Sequence, residues 1–363
     1  MKLYLRRELF TEKEFILTEE GGMRAAAFRY STGVEALRIE NSRGYIVILP
    51  FMGQQIWDIR FDGRDLKMMT GIREPRMTDS FLKTYGGFLY HCGLRSIGAP
   101  DADHPQHGEL PNCRYNSAWL ESGVDENGAW MEVGGKVDYQ IAFTYGYAFS
   151  PRCRLYESAA SAETCVTIEN LRRQPMEYAY LCHINFRPFD GAVIRDTAPR
   201  DAEHVKVHRV IPDSLPEDQK KALSEYMDRL SLDPSAMDHV GDEGQCYMPE
   251  ICFTLKYLTD DGGYGYTMQC LPDGSACCVK HPAAILPYGI RWISRTGNED
   301  SMGMILPATA EHLGYRYAKE NGQMRTLPPE GKISFSVGFG FLSEDEAVPV
   351  KEKIGGILSE YRR

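Results

Sequence analysis

Two histidines stand in surroundings that suit proton transfer or the gripping of hydroxyl groups. His107 lies in His104-Pro-Gln-His107-Gly-Glu109-Leu-Pro-Asn112, a stretch full of turn formers. A His-Gly pair in a loop ahead of a strand holds an imidazole where backbone can approach a ligand closely. His183 lies in Tyr180-Leu-Cys-His183-Ile-Asn185-Phe186. On a strand, His183 and Asn185 share one face, while Cys182, Ile184 and Phe186 take the other. A neutral imidazole beside an amide suits hydroxyls, and imidazole exchanges a proton near pH 7. His91 follows Tyr85-Gly-Gly-Phe-Leu-Tyr90 and precedes Cys92-Gly-Leu-Arg95, so it is placed to line the same cavity. The plain alternative for each is a hydrogen-bonded core histidine. His204, His208, His239 and His281 read as surface residues.

Other chemistry is excluded by absent patterns. There is no G-x-S-x-G elbow, no phosphate-binding loop and no H-E-x-x-H. Gly262-Gly263-Tyr-Gly265 lacks the spacing and the following helix of a dinucleotide site, so no cofactor is expected. The net charge of −10 argues against a nucleic-acid partner, which needs a surplus of Lys and Arg. No run of about 18 apolar residues exists, so no membrane helix is expected. The charged opening stretch leads to the expectation of no targeting segment. Most cysteines sit singly in apolar stretches, as Cys165, Cys182, Cys252 and Cys270 do. That is the pattern of reduced, buried thiols, and the expected location is cytoplasmic. No C-x-x-C pair is present, and Cys277–Cys278 are adjacent, so no structural metal is expected.

The elements that must position these residues are mostly strands. From Ile333 to Phe341, apolar residues alternate strictly with Ser or Gly, and the alternate glycines let a second layer approach. Ile56–Phe61 runs into Asp62-Gly63, a hairpin signal. Further strands are expected at Gly44–Leu49, Trp130–Val137, Gln140–Tyr147, Thr164–Leu171, Tyr178–Phe186 and Ile251–Tyr257. One helix is expected over Pro216–Leu230, with Ser214 and Glu217 at capping-box spacing and Leu223, Tyr226, Met227 and Leu230 on one stripe. It sits in a polar, strand-poor insertion at about 212–244 that covers one rim. A short helix is expected near Lys351–Tyr361. Many short strands with scattered turns predict an all-β, large two-sheet antiparallel sandwich, taken as a single domain over residues 1–363.

The order of short motifs resembles the aldose-1-epimerase-related branch of the galactose mutarotase-like superfamily. The motifs are Tyr85-Gly-Gly-Phe-Leu, Cys92-Gly-Leu, His107-Gly-x-Leu-x-Asn112, Leu181-Cys-His183-Ile-Asn185-Phe186, Leu306-Pro-Ala-Thr and Leu327-Pro-Pro. The likeness runs from about Gly53 to Phe341. It implies a β-sandwich with a carbohydrate site on the concave face of one sheet, and interconversion of sugar anomers by acid–base ring opening. His183 would be the acid and His107 a second imidazole on the sugar. Asn185, Arg95, His91, Glu109 and Asn112 would be substrate contacts.

The sequence departs from the pattern where the base should stand. Leu306 occupies that position, and a leucine takes no proton. Glu311, Glu109, Asp242 and Glu243 are the candidate replacements. A strand's alternation would send Glu311 to the opposite face. Two alternatives follow. One is a sugar-binding protein that lost catalysis. The other is a metal-assisted isomerase or lyase on an oxidised sugar, using His91, His107 and His183 with one carboxylate.

Overall fold

The computed structural model describes residues 1–242 and 244–361. The chain divides into two compact units. Unit 1 comprises Met1–Lys67, Ile72–His183 and Thr309–Gly340; unit 2 comprises Met68–Gly71, Ile184–Ala308 and Phe341 onward.

Unit 1 is built from two sheets. One runs, in hydrogen-bonded order, Lys2–Tyr4, Ser117–Asp125, Gly128–Ile141, Tyr145–Tyr156, Ser161–Asn170 and Lys332–Leu342. The other runs Met176–Ile184, Leu89–Leu94, Ile56–Phe61, Gly44–Ile48, Glu35–Asn41, Met23–Arg29 and Phe15–Glu20. The pairing is antiparallel, as in Trp130 opposite Tyr156 and Glu163 opposite Gly338. Aromatic rings meet between the two inner faces: His91 on Phe149 at 5.4 Å, Tyr180 on Phe335 at 5.1 Å, and Phe88 on Phe339 at 5.6 Å. These contacts are what the strict alternation of apolar residues demands of each strand.

Local signals act where they were expected. Phe335, Val337 and Phe339 are buried. A Cβ on Gly340 would lie 2.4 Å from Ser161 Cα, so the neighbouring strand does approach that glycine closely. Asp62 (φ 48°) and Gly63 (φ 76°) are both left-handed and join Ile56–Phe61 to Arg64–Asp65. That is the two-residue turn whose twist matches the strands.

The expected strand Gln140–Tyr147 is instead a hairpin. Gly128–Ile141 ends, Phe143 turns at φ 67° with its side chain 99% exposed, and Tyr145–Tyr156 begins. Apolar composition concealed the turn, because a phenylalanine sits at its tip.

Unit 2 holds the neighbouring strands Val193–Asp196, Tyr264–Cys270 and Ala276–Pro282, in hydrogen-bonded order. A second set of its strands runs, in hydrogen-bonded order, Val205–His208, Ile251–Leu255, Tyr288–Arg295 and Asp300–Ala308. The helix Glu217–Leu232 buries Leu223, Tyr226, Met227 and Leu230, the stripe that the spacing predicts. Its N-cap is Pro216 with no side-chain cap bond, so the expected Ser214/Glu217 box does not form. A second helix, Glu344–Tyr361, starts earlier than expected and carries Pro349 inside it. Its Ala347 and Ile354 pack with Met268, Cys270 and Ala276.

Three histidines expected at the surface are buried: His204, His208 and His281. His204 lies 2.8 Å from Asp201 and His208 lies 2.7 Å from Thr254, so hydrogen bonds offset their burial. Among the cysteines read as buried, Cys182 and Cys270 are so, while Cys165 and Cys252 are half-buried. Each sits on the less covered face of its strand.

Candidate functional site

The loop that carries His107 is fixed by backbone. His107 has φ 62° and Gly108 has φ 78°, so two consecutive residues are left-handed. A Cβ on Gly108 would lie 2.4 Å from the Ser96 carbonyl oxygen and 2.5 Å from that of Gly93, so only glycine fits. Gly93 N–H donates to the His107 carbonyl at 2.9 Å, and His107 N–H donates to Gly98 at 2.9 Å. Leu110 N–H donates back to Gly93 at 3.0 Å. The loop is thus laced to the end of the strand Leu89–Leu94.

His183 lies near the end of the strand Met176–Ile184 and is buried. The rings of His107 and His183 meet edge to face, 5.0 Å between centroids at 88°. Phe81 covers both, at 4.8 Å from His107 and 6.1 Å from His183. Tyr85 stands 5.6 Å from His183. Burial, with smaller contributions from His183 and His312, holds the His107 imidazole well below its ordinary 6.5. His107 is therefore neutral at pH 7. Its Nδ1 is buried without a hydrogen-bond partner among the described residues.

Two residues further on is a carboxyl group. Glu109 Oε1 accepts from Leu94 N–H at 3.1 Å, Arg95 N–H at 3.3 Å and the Tyr147 hydroxyl at 2.8 Å. Its Oε2 is buried and has no partner among the described residues. Burial pushes the carboxyl up, against the opposing hydrogen bonds from Tyr147 and the backbone. Glu109 lines a cavity of about 450 Å³ with Phe81, Gln106, Gly108, Asn112 and Cys113. The Asn112 side-chain oxygen accepts from Gln55 at 3.0 Å.

A larger cavity of about 900 Å³, also in unit 1, is lined by Arg95, His104, Tyr145, Arg172, Tyr315 and Thr326, among others. His104 stacks on Tyr315 at 4.5 Å and 24°. Arg95 lies beside Tyr139, and Tyr139 stacks on Tyr147 at 5.1 Å.

The remaining sequence candidates fall elsewhere. His91 is in the interior of unit 1, its Nδ1 2.8 Å from the Tyr180 hydroxyl; like His107 and His183, it is not among the residues lining these two cavities. Glu311 Oε2 accepts from the Tyr317 hydroxyl at 2.8 Å and from Gln323 at 2.9 Å. It is buried as an anchor for the short helix Tyr315–Glu320. Asn185 belongs to unit 2 and is buried; its carbonyl accepts from Met68 N–H at 3.0 Å. Leu306, on the strand Asp300–Ala308, is buried with its side chain packed over Gly303. Asp242 is exposed, and Glu243 lies outside the described residues. Among the described residues no group of three or more His, Cys, Asp and Glu side chains is placed to hold a metal ion. The set of His91, His107 and His183 fails because His91 is bonded to Tyr180 in the core.

Sequence reasoning missed Tyr147, Phe81, His312 and Arg172. The run Tyr139, Tyr145, Tyr147 was a visible aromatic signal. Nothing local singles out Phe81 or His312, which reach the imidazoles only through the fold.

Residues 31–210 match a family model described as a domain of unknown function (DUF4432). No curated protein matches the chain. Solved structures do resemble it. A proposed aldose 1-epimerase from Klebsiella pneumoniae has a TM-score of 0.78 at 14% identity, covering 95% of this chain and 91% of that one. A galactose mutarotase-like protein from Clostridium acetobutylicum has 0.58 at 13%, covering 89% and 99%. Galactose 1-epimerase from Lactobacillus acidophilus has 0.51 at 11%, covering 91% and 98%. At these identities the likeness is one of fold: the large two-sheet antiparallel β-sandwich.

Proposed function

From the premise that this chain has the galactose mutarotase-like fold, we propose that it acts on a carbohydrate as a mutarotase-like isomerase. The observation that carries the reading is the edge-to-face pair of His107 and His183, with the Glu109 carboxyl two residues from His107. Ring opening needs a base at the C1 hydroxyl and an acid at the ring oxygen. His183 is the acid. His107, held neutral, donates or accepts a hydrogen bond to a sugar hydroxyl. Glu109 is the base: Oε2 takes the C1 hydroxyl proton as the C1–ring-oxygen bond breaks and His183 protonates that oxygen. Rotation about C1–C2 and reclosure, with the protons returned, give the other anomer. The scheme uses no cofactor.

The surroundings of Leu306 and Glu311 support the choice of Glu109. Leu306 is apolar, and Glu311 is already tied by Tyr317 and Gln323. A carboxyl raised by burial is a stronger base than one in water, which favours proton abstraction near neutral pH.

Anomer exchange of pure aldoses, followed by NMR, tests the reading. Intact protein should accelerate exchange of at least one sugar, and His183→Ala should abolish the acceleration. Equal rates with both proteins for every sugar tried would sink it. One observation favours a second reading, a sugar-binding protein without turnover: the base position is filled by a leucine packed over Gly303. Calorimetric binding of a sugar whose anomers exchange no faster would favour it.

A further inference from the structure

We propose that the 900 Å³ cavity of unit 1 binds the anionic group of a charged sugar, a carboxylate or a phosphate, through Arg95 and Arg172. The inference rests on the reading of unit 1 as a carbohydrate site and names its substrate class.

The cavity's cations are uncompensated. Among the described residues neither Arg95 nor Arg172 has a carboxylate within ion-pair distance. Arg172 spends its Nη2 on two neutral acceptors, the Phe143 carbonyl at 3.1 Å and the Gln174 side chain at 3.0 Å. Arg95 neighbours the Tyr139 hydroxyl. The acidic residues of the lining offset them only in part. Glu177 is paired with Lys319, and Asp103 is exposed. A planar guanidinium matches carboxylate and phosphate geometry, and such charge-assisted bonds are the strong ones.

The rest of the lining suits a sugar. His104 and Tyr315, stacked on one another, and the hydroxyl-bearing Thr144 and Thr326 are among its residues. The proposed base lines the other cavity, of about 450 Å³, and Arg95 links the two. Arg95 N–H donates to Glu109 Oε1, so the residue that supplies the cation is bonded through its backbone to the carboxyl group. A neutral aldose would leave both guanidiniums facing water; an acidic one would pair with them.

The test is calorimetry on the intact protein at low salt. The probes are glucose and galactose, their uronates and their 6-phosphates. At least one anionic sugar should bind about tenfold or more tightly than its neutral parent, a difference of about 1.4 kcal/mol. Arg95→Ala and Arg172→Ala should each remove the preference, Arg172→Lys should keep part of it, and Asp103→Asn should enlarge it. The uronate and phosphate arms identify the anion. Equal affinity for neutral and anionic sugars, no binding of any probe, or a preference that survives the double variant R95A/R172A would overturn the proposal. If Arg95→Ala does not fold, the Arg172 variants decide. Accelerated anomer exchange without anion preference would overturn this inference and leave the proposed function standing. Anion preference without exchange would do the reverse.

Discussion

Glu109 and Leu306 show how much one side chain's setting decides. The sequence offers Leu306 where a base is expected and several carboxylates that could substitute. Only the fold shows that Glu311 is consumed by two donors while Glu109 keeps one buried oxygen bare beside a cavity. Glu109→Gln removes the proposed proton acceptor while keeping size and polarity. It should slow anomer exchange about 10²-fold, the ordinary worth of a general base, with little change in sugar affinity. NMR exchange rates and calorimetry separate the two effects. Gly108 makes a structural prediction. Gly108→Ala drives a Cβ into two carbonyl oxygens at positive φ, so it should destabilise by about 2 kcal/mol or more and displace His107. A chemical melt and the loss of exchange activity together check it.

At the scale of the element, period and turn chemistry were legible. The alternating strand at Lys332–Leu342 and the Asp62-Gly63 turn form as their residues require. The hairpin around Phe143 was not legible, because its turn carries an apolar residue at positive φ where glycine or asparagine is the usual signal. The helix Glu217–Leu232 was found from its stripe rather than its cap. Its stability must therefore come from packing. Leu230→Ala removes a fully buried side chain and should cost about 2–4 kcal/mol in a denaturant melt. An exposed change on the same helix, Glu225→Ala, should stay within about 0.5 kcal/mol.

On the scale of the whole molecule, buried ionisable groups set the response to pH. Burial holds both His91 and His281 down at about 3, against an ordinary 6.5. A group depressed in the folded state stabilises above its unfolded value and loses that contribution as pH falls toward the folded value. Stability should therefore fall from about pH 6.5 towards pH 3. Each of the two groups adds up to about 1.4 kcal/mol per pH unit. Melts of His281→Phe and His91→Phe across that range should have shallower slopes than the parent; unchanged slopes would refute the assignment. Unit 2 holds a buried charge network as well. Arg291 pairs with Asp196, and Arg200 bridges Asp196 at 2.8 Å and Asp238 at 2.7 Å. Arg200 and Arg291 hold the Asp196 carboxyl well below its ordinary range, despite its burial. Arg291→Ala removes one of the two guanidiniums on that buried carboxylate and leaves Arg200 in place, so it should cost up to about 3 kcal/mol in a denaturant melt.

The residue order alone determined the strand-rich architecture and the helix stripe, because these depend on period and turn chemistry; it also put forward the two imidazoles, whose rings the fold brings together. The tertiary structure decided which side chains are spent and which are left over. It buried His91 on Tyr180, tied Glu311 to Tyr317 and Gln323, and packed Leu306 over Gly303. It left Glu109 Oε2 without a donor and the guanidiniums of Arg95 and Arg172 without a carboxylate among the described residues. Whether a polar group is satisfied depends on neighbours far away in the chain, such as Tyr147 for Glu109 at a separation of 38 residues. No local pattern records that separation.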